Sequence, residues 1–494
     1  MKARIYLPNW IFYTAIFVFF VVFFFRVHPI APYDTDDWLF MGIERPSYPS
    51  LYCWNPSKVL PERLEPFVSF IGGYLIVPLV GDYIRGIILT NAIVVSLFII
   101  VYLRLLHKYL EAKFSLGRLT NLAIVLVFTV LHFLILRTAK ENNDYLWYTH
   151  DAACYYHYVI PSLLNASLVL WLMQRDFRIE KSGRIIALLI ALFYLALCSN
   201  LYSSVILIAY LGSILVLDLI IPKPQIHKTT ESDKGWFKKY INRNIRYLVI
   251  IFFWGVIQWF EANGTRANGF GYLHEPMVYC LKVTIYNFIT LSYNHWFLLI
   301  SLLALIGAKF WDFKQNRHGL WYIGFRQWVI LLSLGLSIAY LILLSSRVDP
   351  TYIQRSDVIF AYAFFFLLLV AHALAYLCKL HRFAVFAMPL LFVVLLFLTN
   401  TRGKTFKDVI QEYKPELETC LAIDYDIVQQ ILDADAARLD SVSIDVPTYS
   451  KHSYNWPVMV TDYASQYYGH ALYLHNQTKR EIKTRFIPTY VIDQ

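Results

Sequence analysis

WIFYTAIFVFFVVFFFRVHPIAPYDTDDWLF, residues 10–40, joins two opposed chemistries. No charge occurs from Trp10 to Phe25, and three carboxylates, Asp34, Asp36 and Asp37, then fall within four positions. The first part seeks lipid, whereas the acidic part must meet water, protein or a ligand. No small-residue cleavage site follows Phe25, so residues 7–27 are expected to stay as an anchor rather than leave as a signal peptide.

The same kind of apolar run recurs along the 494 residues. The chain is 58% hydrophobic and only 16% charged, where a soluble protein carries about a quarter charged residues. The runs are unbroken rather than alternating, which selects helices over barrel strands. Spans are expected near 7–27, 84–106, 119–137, 154–173, 185–199, 202–221, 247–260, 294–311, 327–345, 357–378 and 384–400. Residues 66–80, short and holding two glycines and two prolines, read as a re-entrant or interfacial helix. The expected fold is thus an all-α polytopic membrane protein with about 11 transmembrane helices.

Four Lys/Arg-rich segments, RLLHKYLEAKFSLGR, QRDFRIEKSGR, PKPQIHKTTESDKGWFKKYINRNIR and DFKQNRHGLWYIGFRQ, fall on alternate turns of the chain. The positive-inside rule puts them in the cytoplasm together with the N-terminus. The acidic cluster, residues 138–153, 261–293 and 346–356, and the tail from Thr401 are then extracytoplasmic. The formal charge of +10 is read as cytoplasmic anchoring charge, and no nucleic acid is expected as a partner. Six scattered cysteines form no CxxC or Cys/His cluster, so neither zinc nor a disulfide framework is indicated.

The tail differs in kind. FKDVIQEYKPELETCLAIDYDIVQQILDADAARL has helical spacing, while SVSIDVPTY and IKTRFIPTYVI alternate as strands. The chain therefore divides into a helical membrane domain, residues 1–400, and a small extracytoplasmic α/β domain, residues 401–494.

Polar groups gather in the outer loops. Three aspartates in four residues repel one another, which costs stability unless a cation or a reaction uses them. One of Asp34, Asp36 and Asp37 can deprotonate an acceptor hydroxyl; a second, Asp34 or Asp36, can orient the acceptor or hold Mg2+ or Mn2+. Adjacent residues point in different directions, so spacing alone does not separate Asp36 from Asp37. Arg266, Arg347 and Arg355, with Arg63 in the first loop, suit a phosphate because guanidinium binds its oxygens in pairs. Asp144, His150, Asp151 and Tyr155 are candidates for the acceptor or sugar, His150 and Asp151 as an acid–base or metal pair. Tyr145, Trp147, Tyr148, Tyr155, Tyr156 and Tyr158 read first as an interfacial aromatic belt and second as sugar-stacking faces. No Walker A, GxGxxG or HExxH motif is present.

An acidic motif directly after the first span, here YDTDDW, resembles that of the GT-C class of polytopic glycosyltransferases. HDAACYYHYVIPSLL, ANGTR, DPTYIQRSDVIFAYAF, VPTYSKHSYNWP and ALYLHNQTKREIKTRFIP are similar to bacterial multispan enzymes that glucosylate O-antigen. The likeness covers most of the chain as spaced fragments. It implies a catalytic carboxylate in YDTDDW, a polyprenyl-phosphate sugar as donor, a cell-surface glycan or lipid-linked acceptor, and residence among the lipids of a bacterial cytoplasmic membrane. The group often has an acid between spans five and six; here that turn, CSNLYSSV, has none. An O-antigen polymerase or ligase and a non-catalytic lipid-linked-saccharide transporter are the competing expectations.

Overall fold

The computed structural model describes residues 8–33, 35–42, 58–136, 145–149, 151–175, 183–220, 236–262, 274–294, 325–380, 389–391, 393–394, 417–449 and 461–492. In chain order the elements are α1 (Asn9–Val27), α2 (Thr35–Met41), α3 (Val59–Val80), α4 (Tyr83–Phe114), α5 (Arg118–Leu134), α6 (Ala152–Gln174) and α7 (Gly183–Leu197). They continue with α8 (Leu201–Ile220), α9 (Trp236–Ala262), α10 (His274–Asn294), α11 (Phe325–Val348) and α12 (Phe360–Leu380). The tail supplies α13 (Leu417–Ala436), β1 (Ser441–Tyr449), α14 (Asp462–Leu474) and β2 (Lys483–Ile492).

The protein is a mainly helical, multi-pass membrane protein. Among the described residues, eight helices are long and apolar enough to cross a membrane: α1, α3, α4, α6, α8, α9, α11 and α12. Helices α5 and α7 occupy two more of the expected positions but are shorter apolar helices. The spans expected at 294–311 and 384–400 lie largely outside the described residues.

Two expectations need correction. Residues 261–293, read as an outer loop, contain helix α10. Its apolar side chains Met277, Leu281, Ile285 and Ile289 recur at helical spacing and are exposed, but Glu275 and Lys282 interrupt them, which hides the helix from a hydropathy reading. Residues 66–80 are the second half of the longer helix α3. Its Phe67, Phe70, Tyr74 and Leu79 face outward while Glu62, Glu65, Ser69 and Gly73 are buried, an apolar-out arrangement suited to lipid. Val77 in its last turn and Tyr83 at the start of α4 enter one core with Trp38 and Leu39 of α2 and with the tail.

The chain forms two compact units. The first comprises residues 1–104, 148–160 and 403–494. Its core joins Trp38, Leu39 and Met41 of α2 to Ile84 and Ile87 of α4 and to Ile427, Ile431, Ile444, Tyr468 and Leu472 of the tail. Strands β1 and β2 are parallel, with Ser441 opposite Lys483 and Ile444 opposite Phe486. Parallel strands need a crossover, which α14 provides. The register slips between Val446 and Pro447, where Pro488 faces Val446: two prolines withhold ladder donors there.

The second unit comprises residues 105–147 and 161–402 and is built of helices. Apolar packing between helices gives little advantage over lipid, so hydroxyls and amides link them. Ser162 bonds Ser203 at 2.9 Å, Ser333 bonds Ser213 at 3.0 Å, and Tyr340 bonds Gln258 at 2.9 Å. At the end of α8 the buried Asp218 accepts from Asn244 at 2.9 Å and pairs with Arg243.

Two glycines mark close approaches of the tail. A Cβ on Gly469 of α14 would lie 2.0 Å from the Ile482 carbonyl oxygen, and one on Gly73 of α3 would lie 2.5 Å from the His475 Cβ. Backbone cannot yield as a side-chain tip can. Gly469→Ala is therefore expected to destabilise the tail by about 1–3 kcal/mol, read as a lower thermal midpoint and faster proteolysis after residue 436.

Candidate functional site

A helix of seven residues cannot sustain itself in water, so tertiary contacts decide where α2 points. It carries Asp36 and Asp37, and the structure treats them differently. Asp37 is fully buried. Its Oδ2 accepts from the Tyr33 N–H at 2.5 Å and its Oδ1 from the Ala153 N–H at 2.7 Å. Ala153 is the second residue of α6, and Asp151, at that helix's own N-cap position, makes no capping bond. Asp37 thus supplies the cap from another segment, satisfying an orphan amide and placing negative charge at the positive end of α6. Asp36 is part-exposed. Asp34 lies outside the described residues.

The far face of α2 is held by the tail. Trp38 is fully buried; its ring lies 4.4 Å from Tyr468 and 6.0 Å from Tyr83, and its Nε1 donates to Asp424 Oδ1 at 3.3 Å. Tyr83 OH and His475 Nδ1 are 2.7 Å apart, and His475 also bonds the backbone of Met41. Sequence reading missed Asp424 and His475. The signal was there for Asp424: it shares the apolar stripe of α13 with Cys420, Ile427 and Ile431, an unexpected place for an acid.

Burial raises the Asp424 carboxyl well above the usual range; the Trp38 bond opposes this and the charge of Asp37 adds to it. Burial, with a contribution from His470, lowers His475 from 6.5 to about 4, against its bond to Met41. His475 is therefore neutral at pH 7.

The remaining expected residues are distributed as follows. In the first unit, Arg63 and Asp151 are part-exposed, and Asp151 Oδ2 is 3.5 Å from Cys154 Sγ. Tyr155 is 1% exposed and meets Phe24 edge-on, so it presents no open face to a sugar. Tyr148 and Tyr156 of this unit, and Tyr145 and Trp147 of the second, are likewise buried; these aromatics fill the interior of their units instead of forming an interfacial belt. Arg347 and Arg355 belong to the second unit. Arg347 Nη2 donates to the Ala262 carbonyl at 3.3 Å. Arg355 forms a two-point pair with Asp357, at 3.1 and 2.6 Å, over the ring of Tyr352. Asp144, His150 and Arg266 lie outside the described residues. Among the described residues no group of three or more His, Cys, Asp or Glu side chains gathers as a metal site.

Comparison with protein-family models, curated proteins and solved structures finds no match to this chain.

The two shifts give opposite pH slopes. A raised carboxyl stabilises the fold below its unfolded value and loses that contribution as pH rises through its folded value; a lowered histidine contributes above 6.5 and loses it as pH falls towards 4. Relative to the unaltered protein between pH 4 and 6.5, His475→Asn should lose stability as pH rises and Asp424→Asn should gain it. Thermal midpoints of detergent-solubilised protein across that range check both signs.

Proposed function

We propose that the protein is a membrane glycosyltransferase that moves a sugar from a polyprenyl-phosphate donor to a cell-surface glycan or lipid-linked acceptor. The observation that carries this reading is the split between the two aspartates of α2. Asp37 is committed through both oxygens to backbone amides, and Asp36 is the part-exposed carboxylate on α2, nine positions beyond the end of the first apolar helix. A base is useful at that height, because a lipid-linked donor keeps its phosphate near the headgroup level.

In this reading Asp36 takes the proton from the acceptor hydroxyl as its oxygen bonds the anomeric carbon. The bond from that carbon to the phosphate oxygen breaks, and polyprenyl phosphate leaves with the electron pair. Cations offset the charge it develops. Arg347 and Arg355 are proposed for this role, with Arg266 and Arg63. The pairing of Arg355 with Asp357 is compatible with it, since guanidinium has five donors and a fixed arginine is pre-organised for phosphate. Mg2+ or Mn2+ held by Asp34 and Asp36 belongs to the same proposal, and chelator sensitivity reads it.

The proposed setting is a bacterial cytoplasmic membrane with the N-terminus inside and the tail outside, on the alternation of Lys/Arg-rich segments. The transporter reading draws less support. Its polar groups should line a path at mid-membrane, yet three of the described polar residues within the apolar helices make local packing contacts. Asn91 bonds the Ile30 carbonyl and Tyr156, His132 bonds the Phe128 carbonyl and stacks on Trp147, and His372 bonds Tyr109.

The test is sugar transfer from a polyprenyl-phosphate sugar by purified protein. Asp36→Asn should cost about 10²–10⁴-fold in turnover with an unchanged thermal midpoint. Asp37→Ala should instead destabilise the fold by about 1 kcal/mol or more for the lost cap, read as a lower midpoint. Normal turnover in Asp36→Asn removes Asp36 as the base. A second measurement addresses orientation: a cysteine placed at Gln494 should react with an impermeant thiol reagent in intact spheroplasts.

A further inference from the structure

We propose that Asp424 is a positioning residue, holding the indole of Trp38 so that α2 presents Asp36 in one fixed direction; the catalytic part of this rests on Asp36 being the base. Asp36 and Trp38 are two residues apart, about 200° around a helix at 3.6 residues per turn. Fixing one side chain therefore aims the other away from the core. Stacking on Tyr468 sets the plane of the indole, 23° from parallel, but lets it slide and turn within that plane. The bond from Nε1 to Asp424 Oδ1 removes that freedom.

The cost of Asp424 points the same way. Its carboxyl is 4% exposed on the apolar stripe of α13, and its Oδ2 has no hydrogen-bond partner among the described residues. A buried acid with one bond made and one atom unsatisfied is poor value for folding; an apolar side chain of similar size would pack there at no loss. What the acid provides and leucine cannot is an acceptor directed at Trp38.

The experiment separates positioning from simple structure. Asp424→Leu should keep or raise the thermal midpoint while kcat falls about 10- to 100-fold, the scale of a misplaced catalytic group, and donor KM stays unchanged. Asp424→Asn retains an acceptor oxygen and should restore most of kcat. Trp38→Phe, which keeps a ring for Tyr468 but lacks the N–H, should match Asp424→Leu, and the double variant should be no worse than either single one. A fourth arm needs no transferase activity. In a variant carrying Asp36→Cys, the rate of labelling by an impermeant thiol reagent should change several-fold when Asp424→Leu is added. Retained turnover in Asp36→Asn with a changed labelling rate would overturn the base and keep the positioning. An unchanged labelling rate and unchanged kcat in Asp424→Leu would overturn the positioning, as would a kcat loss matched by a lower midpoint that Asn does not rescue.

Discussion

A buried carboxylate must find donors or give up its charge, and Asp37 finds two in backbone amides. One belongs to Tyr33, just before α2; the other belongs to Ala153, 116 positions along the chain. That bond caps α6 and fixes the start of α2 together. The adjacent Asp36, about 100° round the helix from it, is part-exposed. The two neighbours thus differ in surroundings, Asp37 buried and bonded and Asp36 part-exposed, as adjacent helical positions allow.

The tail completes what the cap begins. Trp38 enters a core shared with α3, α4, α13, α14 and the two strands, and His475 reaches the backbone at the far end of α2. A seven-residue helix gains from its surroundings the direction that its own hydrogen bonds are too few to fix. The second unit solves a different problem. There the surrounding medium is as apolar as the side chains, and hydroxyl pairs such as Ser213 with Ser333 define which helices are neighbours.

Much of the fold is legible in the sequence because its determinants are local. Unbroken apolar runs mark the long helices, and alternation in SVSIDVPTY and KTRFIPTYVI marks both strands. What was not legible depends on distant partners. Nothing near Asp37 reveals that its acceptor capacity is spent on Ala153, and nothing near Trp38 reveals Asp424, 386 positions away. The aromatics before α6 read as an interfacial belt because composition reports affinity and not location; the helix they lead into is largely interior. Helix α10 escaped notice since hydropathy averages over all faces of a helix. The pairing of Arg355 with Asp357 was open to inspection, as two residues of opposite charge at that spacing can close on themselves.

The separation of Trp38 from Asp424 also has a temporal meaning. A ribosome adding roughly 5–20 residues each second needs about 20–80 s to travel from one to the other. Throughout that interval the indole has been made and its acceptor has not. Helix α2 lacks this contact until α13 has been synthesised. A chain cut short before α13 keeps every one of the eight candidate membrane helices yet never assembles this core. Assembly of the core around α2 thereby depends on prior synthesis of α13, β1, α14 and β2.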